Sequence, residues 1–176
     1  MNIDLIGPGK DMPNDFNVVI EISANAAPIK YEFDKESGAL MVDRFMGTSM
    51  MYPANYGFVP QTLAGDGDPV DVLVVTPFPL PPGVVIRVRA LGMIKMEDDG
   101  GVDAKLVAVP VEKLCPMYKD IQQLEHLPQL LRDQMVHFFE HYKDLEKGKW
   151  VKIQGWGTLE DATRELVEGV ERAKQA

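Results

Sequence analysis

The fold is decided by the stretch Val84-Val85-Ile86-Arg87-Val88-Arg89-Ala90-Leu91-Gly92-Met93-Ile94-Lys95-Met96 and by Lys105-Leu106-Val107-Ala108-Val109, which follows a short acidic segment. Both runs are rich in β-branched and apolar side chains and are bounded by glycine, proline or aspartate, a pattern typical of β-strands. The segment between them contains Gly100-Gly101, a hairpin turn signal. The stretch therefore predicts two long neighbouring strands.

Further strands are predicted on both sides of this pair. A period of two in residues 18–22 and 30–33 indicates β structure, and it places Lys30 and Glu32 on the same face. The segments with a similar β-type composition are residues 40–45, 70–76 and 150–156. The proline-rich residues 76–83 lack the N–H groups that a sheet needs, so they are predicted to form a connecting loop.

Two helices are predicted in the last third of the chain. Apolar residues recur at spacings of four and three from Leu127 to Leu145, and Gly148 is expected to end that helix. A capping box made by Thr158 and Asp161 is expected to begin the second helix. In that second helix the glycine at position 169 should cost about 1 kcal/mol relative to alanine.

Composition and charge limit the possible functions. The 176 residues are 45% hydrophobic and 26% charged, which fits one globular domain spanning residues 1–176. Eighteen basic against 27 acidic side chains give a net charge of −9, which argues against nucleic-acid and membrane partners. Cys115 is the only cysteine, and the sequence has neither a secretory signal nor a membrane-length apolar run, so we expect a cytoplasmic protein. The expected fold class is α+β, mainly β: a closed or half-closed barrel with flanking helices.

The segment Gly65-Asp66-Gly67-Asp68-Pro69-Val70-Asp71 concentrates the chemistry. Its three carboxylates repel one another at the mouth of an apolar strand, which is costly unless a hard cation binds there. A solvated turn is the alternative, because aspartate and glycine are ordinary turn residues. A calcium-binding EF-hand is excluded, since the fifth position counted from Asp66 is Val70, which offers no side-chain oxygen.

A second acidic segment, residues 97–103, joins the two long strands. Asp98 and Asp103 are expected on the two arms of the hairpin, close enough to share a cation, although hairpin tips are often simply polar. Two acidic clusters on adjacent β elements suggest a multi-metal site, in which ions about 3.5–4 Å apart activate water for attack on phosphorus. The charges of Lys35, Arg87 and Arg89 are interpreted as ordinary surface charges.

The motif Asp66-Gly67-Asp68-Pro69-Val70-Asp71 resembles the signature of the family I soluble inorganic pyrophosphatases of bacterial type. Blocks that resemble this family extend over nearly the whole chain: residues 19–22, 29–32, 42–45, 52–57, 103–107 and 137–143. The resemblance implies a five-stranded OB-like closed barrel with two flanking C-terminal helices. It also implies hydrolysis of inorganic diphosphate to two orthophosphates, with three to four Mg²⁺ ions per active site, some of which arrive with substrate.

The same resemblance implies a role for particular residues. Those that correspond to metal-site carboxylates are Asp66, Asp71, Asp98, Asp103, Glu32 and Glu21. Those that correspond to phosphate-binding positions are Lys30, Arg44, Tyr56, Lys105, Tyr142 and Lys143. Asp68 resembles the general base that faces the nucleophilic water.

His137-Phe138-Phe139-Glu140-His141 formally fits an inverted zinc-peptidase motif, H-x-x-E-H. Catalytic zinc needs a third ligand, however, and the only other histidine, His126, precedes this helix. Because relatives in the resembled family are typically oligomers, hexamers in bacteria, we interpret His137 and His141 as residues near a subunit interface of a homohexamer.

Two other classes of function remain as alternatives. A metal-dependent hydrolase of nucleotides or phosphodiesters is disfavoured because the chain lacks a glycine-rich phosphate loop of the G-x-x-x-x-G-K type. A non-enzymatic nucleic-acid-binding module is disfavoured by the acidic charge balance.

Overall fold

Residues 3–176 are described by a computed structural model and form nine β-strands and two α-helices. The strands are β1 (Gly9–Asp11), β2 (Asp15–Ile22), β3 (Ile29–Phe33), β4 (Leu40–Phe45), β5 (Asn55–Phe58), β6 (Asp71–Val74), β7 (Val85–Asp98), β8 (Gly101–Pro110) and β9 (Val151–Gly157). The helices are α1 (Gln129–His141) and α2 (Leu159–Gln175), and short 3-10 turns lie at Ile3–Leu5, Pro116–Tyr118 and Leu124–His126. No helix in this range is long and apolar enough to span a bilayer.

The main sheet closes on itself. β2 pairs with β5, β5 with β6, β6 with β8, β8 with β7, and β7 returns to β2. All these pairings are antiparallel except β6–β8, which is parallel. Five strands therefore form a hydrogen-bonded ring, to which β1 and β9 are added, while β3 and β4 make a separate hairpin. The predicted mainly β fold with two C-terminal helices is confirmed.

The long hairpin that the sequence predicts is β7–β8. Asp98 lies opposite Gly101, so Asp99 and Gly100 form the turn between the strands. The register shifts between Ala90 and Gly92, where the strand bulges and bends. This hairpin carries the second acidic segment to the end of the ring where the first one lies.

Strand β5 is not predicted by the sequence pattern, because it is only four residues long and one of them is glycine. That glycine is required by packing: a Cβ atom at Gly57 would lie 2.0 Å from the carbonyl oxygen of Val19 on β2. Asn55, at the start of β5, is fully buried and donates to the carbonyl of Val74 and to the Thr76 hydroxyl. Its side-chain oxygen accepts from two further backbone N–H groups, so the amide fixes the loop around β5.

Side chains that alternate along the strands pack into two apolar clusters. Those that pack with α1, here called the α1 cluster, include Ile22, Tyr56, Leu73, Ile94, Met96, Val107, Met135, Phe138, Phe139 and Tyr142. Those that pack with α2, the α2 cluster, include Phe16, Val18, Ile20, Val70, Val72, Val74, Val88, Leu106, Ala162 and Leu166. The strands of the ring are buried on both faces for this reason.

The helices differ in detail from the prediction. The capping box at the start of α2 is confirmed, since the Thr158 hydroxyl and the Asp161 carboxylate each accept from the other's backbone N–H. The prediction that α1 continues to Gly148 is wrong: it ends at His141, and Leu145 is 79% exposed. After His141 the backbone bonds span three residues instead of four, as in the bond from the Glu146 N–H to the Lys143 carbonyl, so the chain proceeds in turns.

Candidate active site

The two acidic segments meet through the parallel pairing of β6 and β8. Asp71 begins β6, and its register partner on β8 is Lys105. Asp103 lies two residues before Lys105, so its side chain points to the same face of the sheet. All three side chains lie on the face whose apolar residues form the α1 cluster. This pairing joins residues more than 30 positions apart and assembles the centre of the site.

Lys105 is the buried cation at this centre. Its Nζ lies 2.5 Å from Asp71 Oδ2 and 2.7 Å from Asp103 Oδ1, and it donates to the Tyr56 hydroxyl at 3.1 Å. Burial alone would lower the pKa of Lys105, but the carboxylates of Asp71 and Asp103 raise it well above its usual value. Lys105 is therefore held in its charged form between two carboxylate oxygens.

Two buried acids in the site have raised pKa values. Burial raises the pKa of Glu21 to about 8, and the nearby charges of Asp71 and Glu32 act in the same direction. The Glu21 carboxylate accepts the backbone N–H of Phe33, which links β2 to the β3–β4 hairpin. Burial also raises the pKa of Asp103, although Lys105 opposes the shift. Both acids therefore hold their protons to higher pH than an exposed carboxyl group does.

A cleft of about 770 Å³ opens beside Glu21 and Asp71. The predicted site residues that line it are Glu21, Lys30, Glu32, Tyr56, Asp68 and Asp71. Its far wall is formed by the turn of the β3–β4 hairpin, residues 34–38, and by residues 60–63. Substrate-sized anions can therefore reach these side chains from solvent.

Lys30 and Arg44 are register partners on the β3–β4 hairpin. Lys30 Nζ lies 3.2 Å from both Glu32 Oε2 and Asp43 Oδ2. An Arg44 terminal nitrogen donates to Glu146 Oε2 at 2.8 Å, while the buried Arg44 Nε makes no hydrogen bond. The Arg44 guanidinium is thus held next to Lys30 by Glu146, and guanidinium and ammonium groups are the usual partners of phosphate oxygens in proteins.

The third part of the site joins the tip of β7–β8 to the end of α1. Lys143 Nζ lies 2.7 Å from Asp98 Oδ2 and 3.7 Å from Asp99 Oδ1. Tyr142 is buried, and burial raises the pKa of its hydroxyl despite the nearby charges of Lys105 and Lys143. Because α1 stops just before Tyr142, these two side chains turn towards the strands.

The loop that precedes β6, residues 64–70, is here called the acidic loop. The Asp68 N–H donates to Asp66 Oδ1 at 3.0 Å, and both aspartates are exposed. Lys35 Nζ, on the hairpin across the cleft, lies 3.2 Å from Asp68 Oδ1. The interpretation of Lys35 as an ordinary surface charge was therefore incomplete, because it faces a proposed catalytic group; no local sequence signal connects residues that are 33 positions apart.

The structure brings the predicted site residues to one end of the ring, but not into a closed metal cage. Among residues 3–176, no three aspartate, glutamate, histidine or cysteine side chains converge tightly enough to hold an ion. Lys105 lies instead between Asp71 and Asp103. The donors are nonetheless hard carboxylate oxygens that already surround a cation, so the residues present fit magnesium.

The histidines do not form a zinc site. His137 and His141 lie side by side on the exposed face of α1, with ring centroids 4.8 Å apart, and His141 Nδ1 lies 2.8 Å from Asp144 Oδ2. His126 Nδ1 instead accepts the backbone N–H of Gln122. His126 therefore has a different environment from the other two rings, and the interpretation as a zinc peptidase gains no support.

Comparisons with known proteins agree with one another. A family model described as inorganic pyrophosphatase matches residues 18–174. The chain is 63% identical over 175 residues to the inorganic pyrophosphatase of Ralstonia nicotianae, covering 99% of this chain and 100% of the relative. It is 62% identical over 174 residues to that of Escherichia coli K12, covering 99% of each chain.

Solved structures show the same fold. The inorganic pyrophosphatase structure from Coxiella burnetii has a TM-score of 0.92 at 57% identity, over 95% of this chain and 99% of that one. The structure from Thermus thermophilus has a TM-score of 0.93 at 40% identity and covers 99% of both chains. The similarity extends over both acidic segments and both helices.

Proposed function

Because the chain belongs to the inorganic pyrophosphatase family and is an inorganic diphosphatase, we propose that it hydrolyses diphosphate to two orthophosphates with three to four Mg²⁺ ions, some of them arriving with substrate. The observation that carries the proposal is the buried Lys105 held between Asp71 and Asp103. Asp71, one of the two partners of Lys105, also lines the cleft, so the buried ammonium group lies next to a proposed metal ligand that an anion from solvent can approach. The site therefore offers both cation-binding and anion-binding groups within a few ångströms.

Six carboxylates supply the metal-binding groups: Asp66, Asp71, Asp98, Asp103, Glu32 and Glu21. Burial, with a smaller contribution from neighbouring carboxylates, raises the pKa values of Glu21 and Asp103. Divalent cations would relieve that repulsion and favour the ionised forms. Magnesium, when bound, lowers the pKa of coordinated water and neutralises charge on diphosphate.

Six donors supply the phosphate-binding groups: Lys30, Arg44, Tyr56, Lys105, Tyr142 and Lys143. Lys30, Lys105 and Lys143 are each paired with carboxylates that we propose as metal ligands or that neighbour them. These pairings keep the ammonium groups ordered before substrate binds, so little reorganisation is needed when phosphate oxygens replace carboxylates as their partners. Positive charge on this side stabilises the leaving orthophosphate.

Asp68 is the proposed general base. It lies at the cleft mouth, two-thirds exposed, where water has access, whereas Asp71 is largely covered and paired with Lys105. An ionised carboxylate at this position can accept a proton from the attacking water while the neighbouring donors hold diphosphate in line. No covalent intermediate with the chain is required.

Residues 1–176 are proposed to form one domain that acts in the cytoplasm, without nucleic-acid or membrane partners. We also propose a homohexamer, with His137 and His141 near a subunit interface. The exposure of both rings on α1 is compatible with a contact that a single chain leaves open.

Phosphate release tests the proposed function directly. With Mg²⁺, diphosphate should be hydrolysed rapidly and ATP nearly untouched, because the site consists of short-range donors and carboxylates with no nucleoside-binding motif. Chelation of the metal should abolish turnover. Zinc or manganese should relax selectivity, since those ions tolerate other geometries. Equal turnover of ATP and diphosphate with Mg²⁺, or binding of nucleic acid, would contradict the proposal.

A further inference from the structure

Helix α2 holds the chain immediately before the acidic loop. The backbone N–H of Leu63 donates to the carbonyl of Gly169 at 2.9 Å, and the Leu63 carbonyl accepts from Arg172 Nε at 2.6 Å. Both backbone polar groups of Leu63 are thus bonded to the last turns of α2. Leu63 belongs to no strand or helix, so these bonds fix a part of the chain that would otherwise be free to move.

Arg172 is itself fixed by two carboxylates of the same helix. One terminal nitrogen lies 2.7 Å from Glu165 Oε1, and the other lies 3.3 Å from Glu168 Oε2. All three guanidinium nitrogens are therefore engaged, and the side chain is only 35% exposed. A planar guanidinium bonded at three points has a defined direction, which a lysine could not reproduce.

The acidic loop transmits the position of Leu63 to the aspartates. The next residue, Ala64, donates its N–H to the Asp68 carbonyl at 2.6 Å and accepts from Gly67 at 3.2 Å. The Asp68 N–H donates to Asp66 Oδ1 at 3.0 Å. These bonds make residues 64–68 one compact turn, so a shift at Leu63 moves Asp66 and Asp68 together.

The other end of the acidic loop also lies against α2. The buried hydroxyl of Thr62 accepts the N–H of Val70 at 3.0 Å and donates to the Val59 carbonyl at 2.6 Å, which closes the loop at its base. A Cβ atom at Gly169 would lie 2.8 Å from Val70 Cγ2 and 3.3 Å from the Leu63 carbonyl oxygen. The helix therefore approaches both ends of the loop at once.

We propose that Arg172 is a positioning residue for catalysis. It holds the acidic loop through the Leu63 carbonyl, so that Asp66 and Asp68 face Asp71 and the place where metal and substrate are proposed to bind. The inference rests on the proposed function, because it assigns those aspartates their roles. Arg172 is not proposed to contact substrate or metal. Its effect on the position of the aspartates passes through the backbone of Leu63 and Ala64.

The test compares Arg172→Met with Lys174→Met, a control on the same helix whose exposed side chain pairs with Glu171. Mn²⁺ is titrated into each metal-free protein and followed by electron paramagnetic resonance, and diphosphate hydrolysis is measured in parallel. Loss of an outer partner of metal ligands typically costs roughly 10–100-fold in affinity, so we expect Arg172→Met to weaken Mn²⁺ binding about tenfold and to lower kcat/KM by a similar factor. The control should stay within about twofold of the wild type on the same scale.

Two further variants separate positioning from folding. Glu165→Gln keeps the arginine but removes the charge of one of its partners. Arg172→Lys keeps the positive charge but places it on a single nitrogen, which cannot bond at three separate points, so both variants should fall between wild type and Arg172→Met. A lowered melting temperature with unchanged Mn²⁺ affinity in these variants would overturn the proposal, because a purely structural role predicts that result. If Arg172→Met does not fold, wild-type affinity and kinetics in Glu165→Gln would overturn it equally. A wild-type protein without diphosphatase activity would instead remove the proposed function, while the Mn²⁺ comparison would still decide whether Arg172 positions the loop.

Discussion

Asp68 and Asp71 lie three residues apart and have opposite environments. Asp68 is two-thirds exposed at the mouth of the cleft, and its charged partner is the equally exposed Lys35. Asp71 is more covered and is bonded to the buried Lys105. Exposed ion pairs are weak, whereas the removal of one partner of a buried pair is costly. The carboxylate of Asp68 is therefore available for proton transfer, while that of Asp71 belongs to the fixed charge arrangement.

Replacement of Asp68 should separate these roles. Asp68→Asn preserves the size of the side chain and removes the proton acceptor, so kcat should fall by about 10²–10⁴-fold, the usual contribution of a general base. Metal affinity should change less than in Asp71→Asn, which removes a charge beside Lys105. Steady-state kinetics and Mn²⁺ titration of the two variants provide the comparison. Near-full activity of Asp68→Asn at neutral pH would show that another group accepts the proton.

Glu21 makes the stability of the metal-free protein depend on pH. Burial raises its pKa from 4.5 to about 8 in the folded chain, so between these values the folded state binds a proton that the unfolded state has released. The free energy of unfolding therefore decreases as pH rises. The contribution of protonated Glu21 to the free energy of unfolding is fully present below the unfolded pKa of 4.5, and it is lost as pH rises through about 8.

Denaturant unfolding with a chelator present should reveal this slope. Glu21→Gln keeps an acceptor for the Phe33 N–H but cannot ionise, so its stability should vary less over the same pH range. Added Mg²⁺ should reduce the slope in the wild type, because bound cations favour the ionised carboxylate. A wild-type slope identical to that of Glu21→Gln in chelator would contradict the burial argument.

At the scale of elements, α2 is shaped by the loop on which it packs. Gly169 is unfavourable for a helix in isolation, as the sequence indicates, but it is buried between Val70 of the α2 cluster and residues 62–63. Glycine at this position lowers the helix propensity of α2, but it allows the close packing against Val70. Helix propensity alone cannot reveal this, because the neighbour that demands the glycine, Val70, is 99 positions away in the sequence.

Gly169→Ala should destabilise the protein despite the gain of about 1 kcal/mol in helix propensity. The new methyl carbon would lie 2.8 Å from Cγ2 of Val70, a side chain that is 1% exposed, and overpacking typically costs about 1–3 kcal/mol. Thermal unfolding provides the measurement, and Val167→Ala, at a half-exposed position on the same helix, is the control. A Gly169→Ala protein more stable than the wild type would show that the loop relaxes without cost.

At the scale of the whole molecule, the sequence predicts those strands and helix ends that depend on neighbouring residues in the chain. The β-branched runs predict β7 and β8, and the capping residues Thr158 and Asp161 locate the start of α2. Ring closure depends on pairings such as β2 with β7, which join segments about 70 positions apart and leave no periodic signal. The same holds for the site: the resemblance names Lys105 and Asp71, but only the parallel register of β6 and β8 places them 2.5 Å apart.

Assembly is the remaining whole-molecule property, and the interface that we propose includes the paired rings of α1. His137 and His141 lie 4.8 Å apart on an exposed face that also includes Leu130, which is 68% exposed. Histidine side chains in general gain charge as pH falls towards about 5. Two positive charges at this separation would repel each other and would have to be desolvated in the contact. Asp144 offsets part of this effect at His141 alone.

We therefore expect the proposed hexamer to loosen at mildly acidic pH. Sedimentation near pH 5 and near pH 8 should show smaller species only at the lower value, because histidine titrates between about 5 and 8. The double variant His137→Gln, His141→Gln keeps hydrogen-bonding side chains without a titratable ring, so its assembly should respond less to pH. The cleft and the Lys105–Asp103 pair are formed by one chain, so dissociated subunits should keep their metal-binding residues. A hexamer equally stable at both pH values, or a wild-type monomer near pH 8, would remove these histidines from the interface and leave the catalytic proposal intact, since neither ring lines the cleft.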